Sequence, residues 1–562
     1  MSPQAPRVAN NHRLRCELTH PNAFYVQCLT WAGLSSMGPE INIDSILALE
    51  KQIEEDLGDA IQLKRARNSL LNIYILVPPE LLGQIFRWNV IPDYDRGNVQ
   101  GGSYNFLLVC HHWFEVASGT PELWSYWGNS LEEWSWRCQH PGTAPVDLML
   151  DADTRRGEVY TVDGPLRDAL RDRATRGSVR SIRLGGSNTD LLDSVISSLI
   201  PDGEGIRCSS IESLTLESTD LDIFKFLTNH HFPKLRVLSL RTNARIVPWD
   251  YLRIQATSLT TLSLGFRKAQ NRVTTSQLFL ILASYPNLQD LSLHQAMIPE
   301  DVDDGSTFRL PLRRLKKLRL GGNCHNHVLR LLERLEHPGK LESVDLAFLS
   351  CTKESVPEFL EPYLRNHIRH DDRFQGRLGV QAWSTEAHIS LWVYVLDELN
   401  NPTMLPGHSN PSVSFGVAFA DCLPSWDVGD KLCTDLIAVI PRENVVHFGG
   451  DLGPRAMRDL SVTTPKIEYL SIYPSLLVKV FQLDPLSNTK PFPSLRRLCL
   501  ESFSLRDNND WKSLCWESLT TYLIHQTSGG QAISLWLREE HPPIPPDVAK
   551  KIESLVEEFI HQ

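Results

Sequence analysis

Cys324-His325-Asn326-His327 sets three side chains able to ligate a transition metal within four positions. A closed metal site draws its ligands from two such clusters, and no second one stands at a matching spacing. His111-His112 sits on a short apolar segment and reads as a surface or capping pair rather than as ligands. Gly101-Gly102 and Gly321-Gly322 lack the Lys-Ser/Thr that must follow a phosphate-cradling loop, so nucleotide chemistry has no support. Glu539-Glu540 and the run Glu54 to Asp56 read as solvated helix faces. No nucleophile stands with a base and an orienting group, and we expect neither catalytic residues nor a metal or cofactor.

Composition narrows the class. The chain has 562 residues, 42% of them hydrophobic, which is enough for more than one domain. Its net charge of −11 argues against nucleic acid or anionic membrane as general partners. Eleven scattered cysteines fit reduced thiols better than a disulfide framework. The first 22 residues have no apolar run of signal-peptide type, and runs such as Ile389 to Leu396 are too short to span a bilayer. The expectation is a soluble intracellular protein, cytoplasmic or nuclear or both.

The elements that could position a binding site begin near the N-terminus. Residues 1–40 show no periodicity and are expected to be poorly ordered. Residues 42–71 form a lead-in amphipathic helix, apolar at Ile46, Leu49, Ile53, Leu57 and Ile61, acidic early and basic late. Pro78 and Pro79 then mark a helix start, because proline's missing N–H would be unpaired in a first turn anyway, and Glu80 suits the positive end. Leu81, Leu82, Ile85 and Phe86 recur at helical spacing, as do Leu108, Val109, Trp113 and Val116 in a second short segment. Neither helix is long enough to be stable alone.

The ordered combination of Pro78-Pro79-Glu80-Leu81-Leu82, Val109-Cys110-His111-His112-Trp113 and Thr120-Pro121-Glu122-Leu123-Trp124 resembles fungal F-box proteins over roughly residues 42–127. The chain departs from that family at Val77, where leucine is more usual, and in a polar insertion near residues 89–104. The resemblance implies an F-box helical module at 73–127 that docks on the Skp adaptor of cullin-RING ubiquitin ligases. By the same resemblance Pro78, Pro79, Glu80, Leu81, Leu82, Ile85, Phe86, Leu108, Val109, Cys110, Trp113, Leu123 and Trp124 are the adaptor-binding residues.

Behind the module a repeat begins. Ile211-Glu-Ser-Leu214-Thr-Leu216 is followed by the same Leu-x-x-Leu-x-Leu pattern from Leu235, Leu259, Leu288, Leu315 and Leu341, then again from Ile467 and Leu495. The spacing is that of leucine-rich repeats, whose copies bury their leucines only by stacking. Asn243 and Asn323 stand at the ninth position, where such repeats pair turn backbone with a side-chain amide. The fold expected is α/β: the helical module, then a leucine-rich-repeat-like solenoid over 145–540, irregular at 350–440, with parallel strands on a concave face and helices on the convex side. A Pro-rich spacer and a capping helix, Asp547 to Ile560, would fill 541–562.

In each strand the leucines point inward, so the alternate positions share the concave face. Glu217, Arg241, Asp290, His294, Lys317, Arg319, Tyr469 and Tyr473 are the expected target-binding residues, with Arg497 and Glu501 on the same face. The function expected is a non-catalytic substrate-recognition subunit of a Skp-cullin-F-box ubiquitin ligase; the alternative is a repeat-based interaction scaffold with no ligase role.

Overall fold

The computed structural model describes residues 77–90, 111–127, 144–151, 178–185, 210–218, 231–254, 256–266, 269–295, 297–300, 309–322, 325–336, 341–348, 372–384, 388–396, 414–420, 426–473, 491–501, 509–528, 530–537 and 544–561, with Asp168, Phe224 and Leu227 besides. The lead-in helix, the 89–104 insertion, the first 40 residues, Asn323 and the adaptor-binding candidates Leu108, Val109 and Cys110 lie outside the residues whose packing is described. The chain divides into two compact units, residues 1–124 and 125–562.

Unit 1 holds α1 (Pro79–Val90), α2 (His111–Ser118) and a 3-10 turn at Pro121–Trp124. The Leu82 N–H donates to Pro78 O at 3.0 Å, so α1 starts at its prolines as their chemistry requires. Leu82, Phe86, Ala117, Leu123 and Trp124 form one buried cluster, with Val77, Trp113 and Val116 packed on it. Each helix alone would expose this surface; together they enclose it.

Unit 2 is built on parallel pairing. Strands β1 (Tyr126–Trp127), β2 (Val146–Asp151), β3 (Val179–Gly185), β4 (Ser213–Ser218), β5 (Val237–Thr242), β6 (Thr261–Phe266) and β7 (Asp290–Gln295) pair in chain order. Helix α3 (Thr275–Ala283) precedes β7; β8 (Leu310–Pro311) and β10 (Leu335–Glu336) make a small separate sheet flanking β9 (Lys317–Gly322) and α4 (His325–Arg334) in sequence. The large sheet runs on through β9 to β11 (Ser343–Phe348).

Leu214, Leu238, Leu262, Leu291, Leu318 and Val344 lie side by side across these strands, and Leu216, Leu240, Leu264, Leu293, Leu320 and Leu346 form a second row. All are buried, in one cluster with Leu278, Ile281 and Leu282 of α3 and Val328, Leu331 and Leu332 of α4. In-register stacking is therefore what buries them. Each copy enters its strand alike: the leading Leu235, Leu259, Leu288 and Leu315 donate N–H to the carbonyl three residues back. The next residue, Arg236, Thr260, Gln289 or Lys316, donates to the preceding copy.

The region where the repeat fades continues the sheet with one reversal. β12 (Leu378–Ser384), β13 (His388–Val395) and β14 (Ser414–Ala420) are consecutive in sequence but enter in the order β14, β13, β12. β14 is parallel to β11, β13 is antiparallel to both neighbours, and β12 is parallel to β15 (Val445–Asp451). After α5 (Trp426–Val439) and β15 come α6 (Pro454–Thr463), β16 (Tyr469–Ile472), β17 (Arg497–Leu500), α7 (Asn509–Thr527) and β18 (Ser534–Leu537), with the strands again parallel. The result is a 17-stranded, mostly parallel sheet and, among the described residues, eight α-helices.

The C-terminus differs from expectation. The expected helix from Asp547 to Ile560 is a shorter one, α8 (Pro546–Glu553), followed by β19 (Glu558–His561), which pairs parallel with β18. The apolar period that suggested helix is satisfied on both sides of the break: Ile552 is buried, and Phe559 packs on the core from the strand. No helix among the described residues is long and apolar enough to cross a membrane.

Candidate functional site

In unit 1 the two apolar pairs of α1 separate. Leu82 and Phe86 are 3% and 0% exposed, whereas Leu81 and Ile85, one position earlier at the same spacing, are 50% and 38% exposed. Phe114 on α2 is exposed as well. This corrects the adaptor-binding set: Leu82, Phe86, Leu123 and Trp124 fill the module's own core and present nothing to a partner. Phe86 and Trp113 meet with ring centres 5.1 Å apart, and Trp124 Nε1 donates to Ala117 O at 3.0 Å. Gly83 lets the helices close, since a β-carbon there would stand 3.0 Å from Thr120 Oγ1, which itself donates to Val116 O. Of the expected set, Pro78, Pro79, Glu80, Leu81 and Ile85 remain exposed, and Phe114 of α2 is exposed besides.

In unit 2 the register decides which candidates share a face. Asp290 pairs with Lys317, Ser292 with Arg319 and His294 with Gly321, while Glu217 pairs with Arg241 and Tyr469 with Arg497. These positions alternate with the buried leucines, so all lie on the polar face of one sheet, as alternation requires. Tyr473 follows directly after the end of β16. Arg183, Glu217 and Arg241 form a row with both arginine–glutamate separations at 4.0 Å, each side chain more than a third exposed. Ser292 Oγ and His294 Nε2 are 2.8 Å apart. Burial raises the Asp345 carboxyl above its ordinary value, with Arg319 opposing.

Further along, small residues admit large ones. A β-carbon on Gly416 would stand 2.5 Å from the Trp392 ring, and one on Gly379 would collide with the Tyr394 ring, so both aromatics lie down over glycines on the same face. The Tyr394 hydroxyl and His447 Nδ1 are 2.5 Å apart. Burial raises the phenol and lowers the imidazole to about 4, which keeps both neutral near pH 7.

The amide expected at Asn243 is exposed instead, and the turn after β5 uses the Thr242 hydroxyl, which accepts from Ala244 N at 3.0 Å. Asn271 takes the amide role, pairing both polar groups of Val247 at 2.8 and 2.6 Å.

Among the described residues no three His, Cys, Asp or Glu side chains are grouped to hold a metal ion. The arrangement can bind by contact along an extended polar face. Compared with known proteins, the chain matches no family model and no curated sequence. What its fold defines is an α/β protein with a large, mostly parallel sheet.

Proposed function

We propose that this chain is a non-catalytic substrate-recognition subunit of a Skp-cullin-F-box ubiquitin ligase. Unit 1 is read as an F-box module holding the Skp-family adaptor, and unit 2 as a leucine-rich-repeat-like solenoid holding a target protein. The mechanism is proximity, since mounting a target beside a ubiquitin-loaded enzyme raises the local concentration of its lysines without chemistry in this chain. Such a subunit works in the cytoplasm or nucleus, reached by no nucleic acid or membrane contact of its own. The observation that carries the reading is that Leu81 and Ile85 of α1 and Phe114 of α2 stay exposed while the module's core is closed.

The test is capture of purified Skp-family adaptor by the full chain. Replacing Leu81→Asp together with Ile85→Asp should weaken capture about tenfold or more, as loss of two central apolar contacts does. The thermal transition of unit 2 should not move. Capture unchanged in the double variant, or absent in the parent chain, overturns the reading and leaves an interaction scaffold without a ligase role.

A further inference from the structure

The polar face of the sheet changes character along its length. From β3 to β11 its side chains carry charges of both signs, as at Arg183, Glu217 and Lys317. From β13 onward it turns aromatic, with Trp392 and Tyr394 on β13, Tyr469 on β16 and Trp536 on β18. One cation stands among these: Arg497 of β17, whose register partners are Tyr469 on one side and Ser534, beside Trp536, on the other.

Its guanidinium carbon lies 5.4 Å from the centre of the Tyr469 ring and 4.3 Å from that of Trp536. Both rings lie within cation–π reach of the guanidinium, whose hydrogen-bond donors all point in its own plane. Nε and Nη1 are shielded from water and have no hydrogen-bond acceptor among the described residues. Buried donors without acceptors cost free energy until one arrives. The side chain is thus held beside two rings with two of its three nitrogens lacking an acceptor among the described residues, which favours an anion at the guanidinium.

We propose that this aromatic half of the face binds an extended segment of the target protein, setting an Asp or Glu carboxylate on Arg497 and an apolar side chain on Trp392. The proposal rests on reading the sheet face as the target surface, and not on adaptor docking. A planar carboxylate matches the guanidinium fork, and ring stacking holds that fork still. Trp392 lies four strands from β17, or ~19 Å at ~4.8 Å per strand, which is about six residues of extended chain. Single-stranded nucleic acid also uses aromatics and arginine. A polyphosphate is disfavoured by the net charge of −11, by Asp451 and Glu558 at strand positions of the same face, and by Glu501 directly after β17.

The probes are C-terminally amidated peptide pools, ten residues long, with a fixed central glutamate, glutamine or lysine and random flanks, and an oligothymidylate. Each is titrated against the purified full chain. The glutamate pool should bind about tenfold tighter than the glutamine pool, as expected for one charged hydrogen-bonded contact, and should enrich apolar residues about six positions away. Arg497→Gln should erase that preference, Arg497→Glu should transfer it to the lysine pool, and Arg313→Gln, at an exposed position outside the strands, should leave it intact. Arg497→Lys keeps the charge but loses the stacked fork, so it should shrink the preference if the glutamine variant does not fold. A preference that survives both Arg497→Gln and Arg497→Lys, binding of no pool, or tighter binding of the oligonucleotide overturns the proposal. Because no adaptor is present, failure here leaves the adaptor-capture result standing, and the reverse.

Discussion

Single residues decide which apolar positions are surface and which are core. Leu81, Leu82, Ile85 and Phe86 are two pairs of the same spacing, offset by one residue, and a helix turns about 100° between them. The sequence shows that α1 is amphipathic, but only the position of α2 settles that Leu82 and Phe86 face inward. Substituting the buried pair is therefore a stability experiment and not a binding one. His447 shows the same dependence on neighbours: nothing about a lone histidine in a strand announces burial, yet it lies sealed beside Tyr394. Its imidazole is lowered from 6.5 to about 4 by desolvation. The folded state thus refuses a proton that the unfolded chain accepts. Stability is whole above pH 6.5, falls as the pH drops through this window, and has lost on the order of 3 kcal/mol below pH 4. Asp345, raised by burial, works in the opposite direction, so the comparison belongs in an Asp345→Asn background. There, His447→Gln should flatten the dependence of the unit 2 melting temperature on pH between 6.5 and 4; an unchanged slope would show that the histidine is not the group responsible.

At the scale of elements, the strands whose leucines recur were legible because each copy must bury the same two positions against its neighbours. The reversal at β13 was not. Ile389-Ser-Leu391-Trp-Val393 alternates as any half-buried strand does, and alternation carries no direction; only pairing with β12 and β14 makes it antiparallel. Nothing in the sequence therefore marks Trp392 and Tyr394 as face residues, nor Trp536, which follows no Leu-x-x-Leu signal. The return to parallel pairing between β12 and β15 uses an irregular register at Leu378 and Gly379 and a backbone at Gly450 with φ of +136°. There a β-carbon would collide with the carbonyl of Ala382 on the neighbouring strand. Gly450→Ala should cost at least ~1–3 kcal/mol from the backbone region alone, with the clash added. Gly376→Ala, at a site open on all sides, is the control. Chemical denaturation measures both, and equal midpoints for the two variants would contradict the assigned geometry.

For unit 2 as a whole, a stacked sheet is held by nearest-neighbour interfaces, so its ends carry the penalty of a partner on one side only. The C-terminal segment shows how this is met. The Pro-rich run and the apolar period of 547–560 read as spacer and helix, because a strand of four residues leaves little pattern and its meaning comes from the edge it covers. Glu558–His561 pairs with Ser534–Leu537, Glu557 N donates to Ile533 O at 2.9 Å, and α8 brings Ile552 into the core. Removing residues 545–562 would strip those hydrogen bonds and leave β18, with Leu535 and Leu537, as an open edge. Unprotected edges pair with other chains, and short charged strands such as Glu558-Phe559-Ile560-His561 suppress that. The truncated chain should therefore unfold at lower temperature and elute partly as oligomers on size-exclusion chromatography. Restoring the segment with Phe559→Ala should recover the elution volume of the full chain but only part of its melting temperature, since pairing returns without the apolar contact. A truncated chain that elutes like the full one and is as stable would mean that β19 is a passenger on the sheet, and that the last interface is already satisfied at β18.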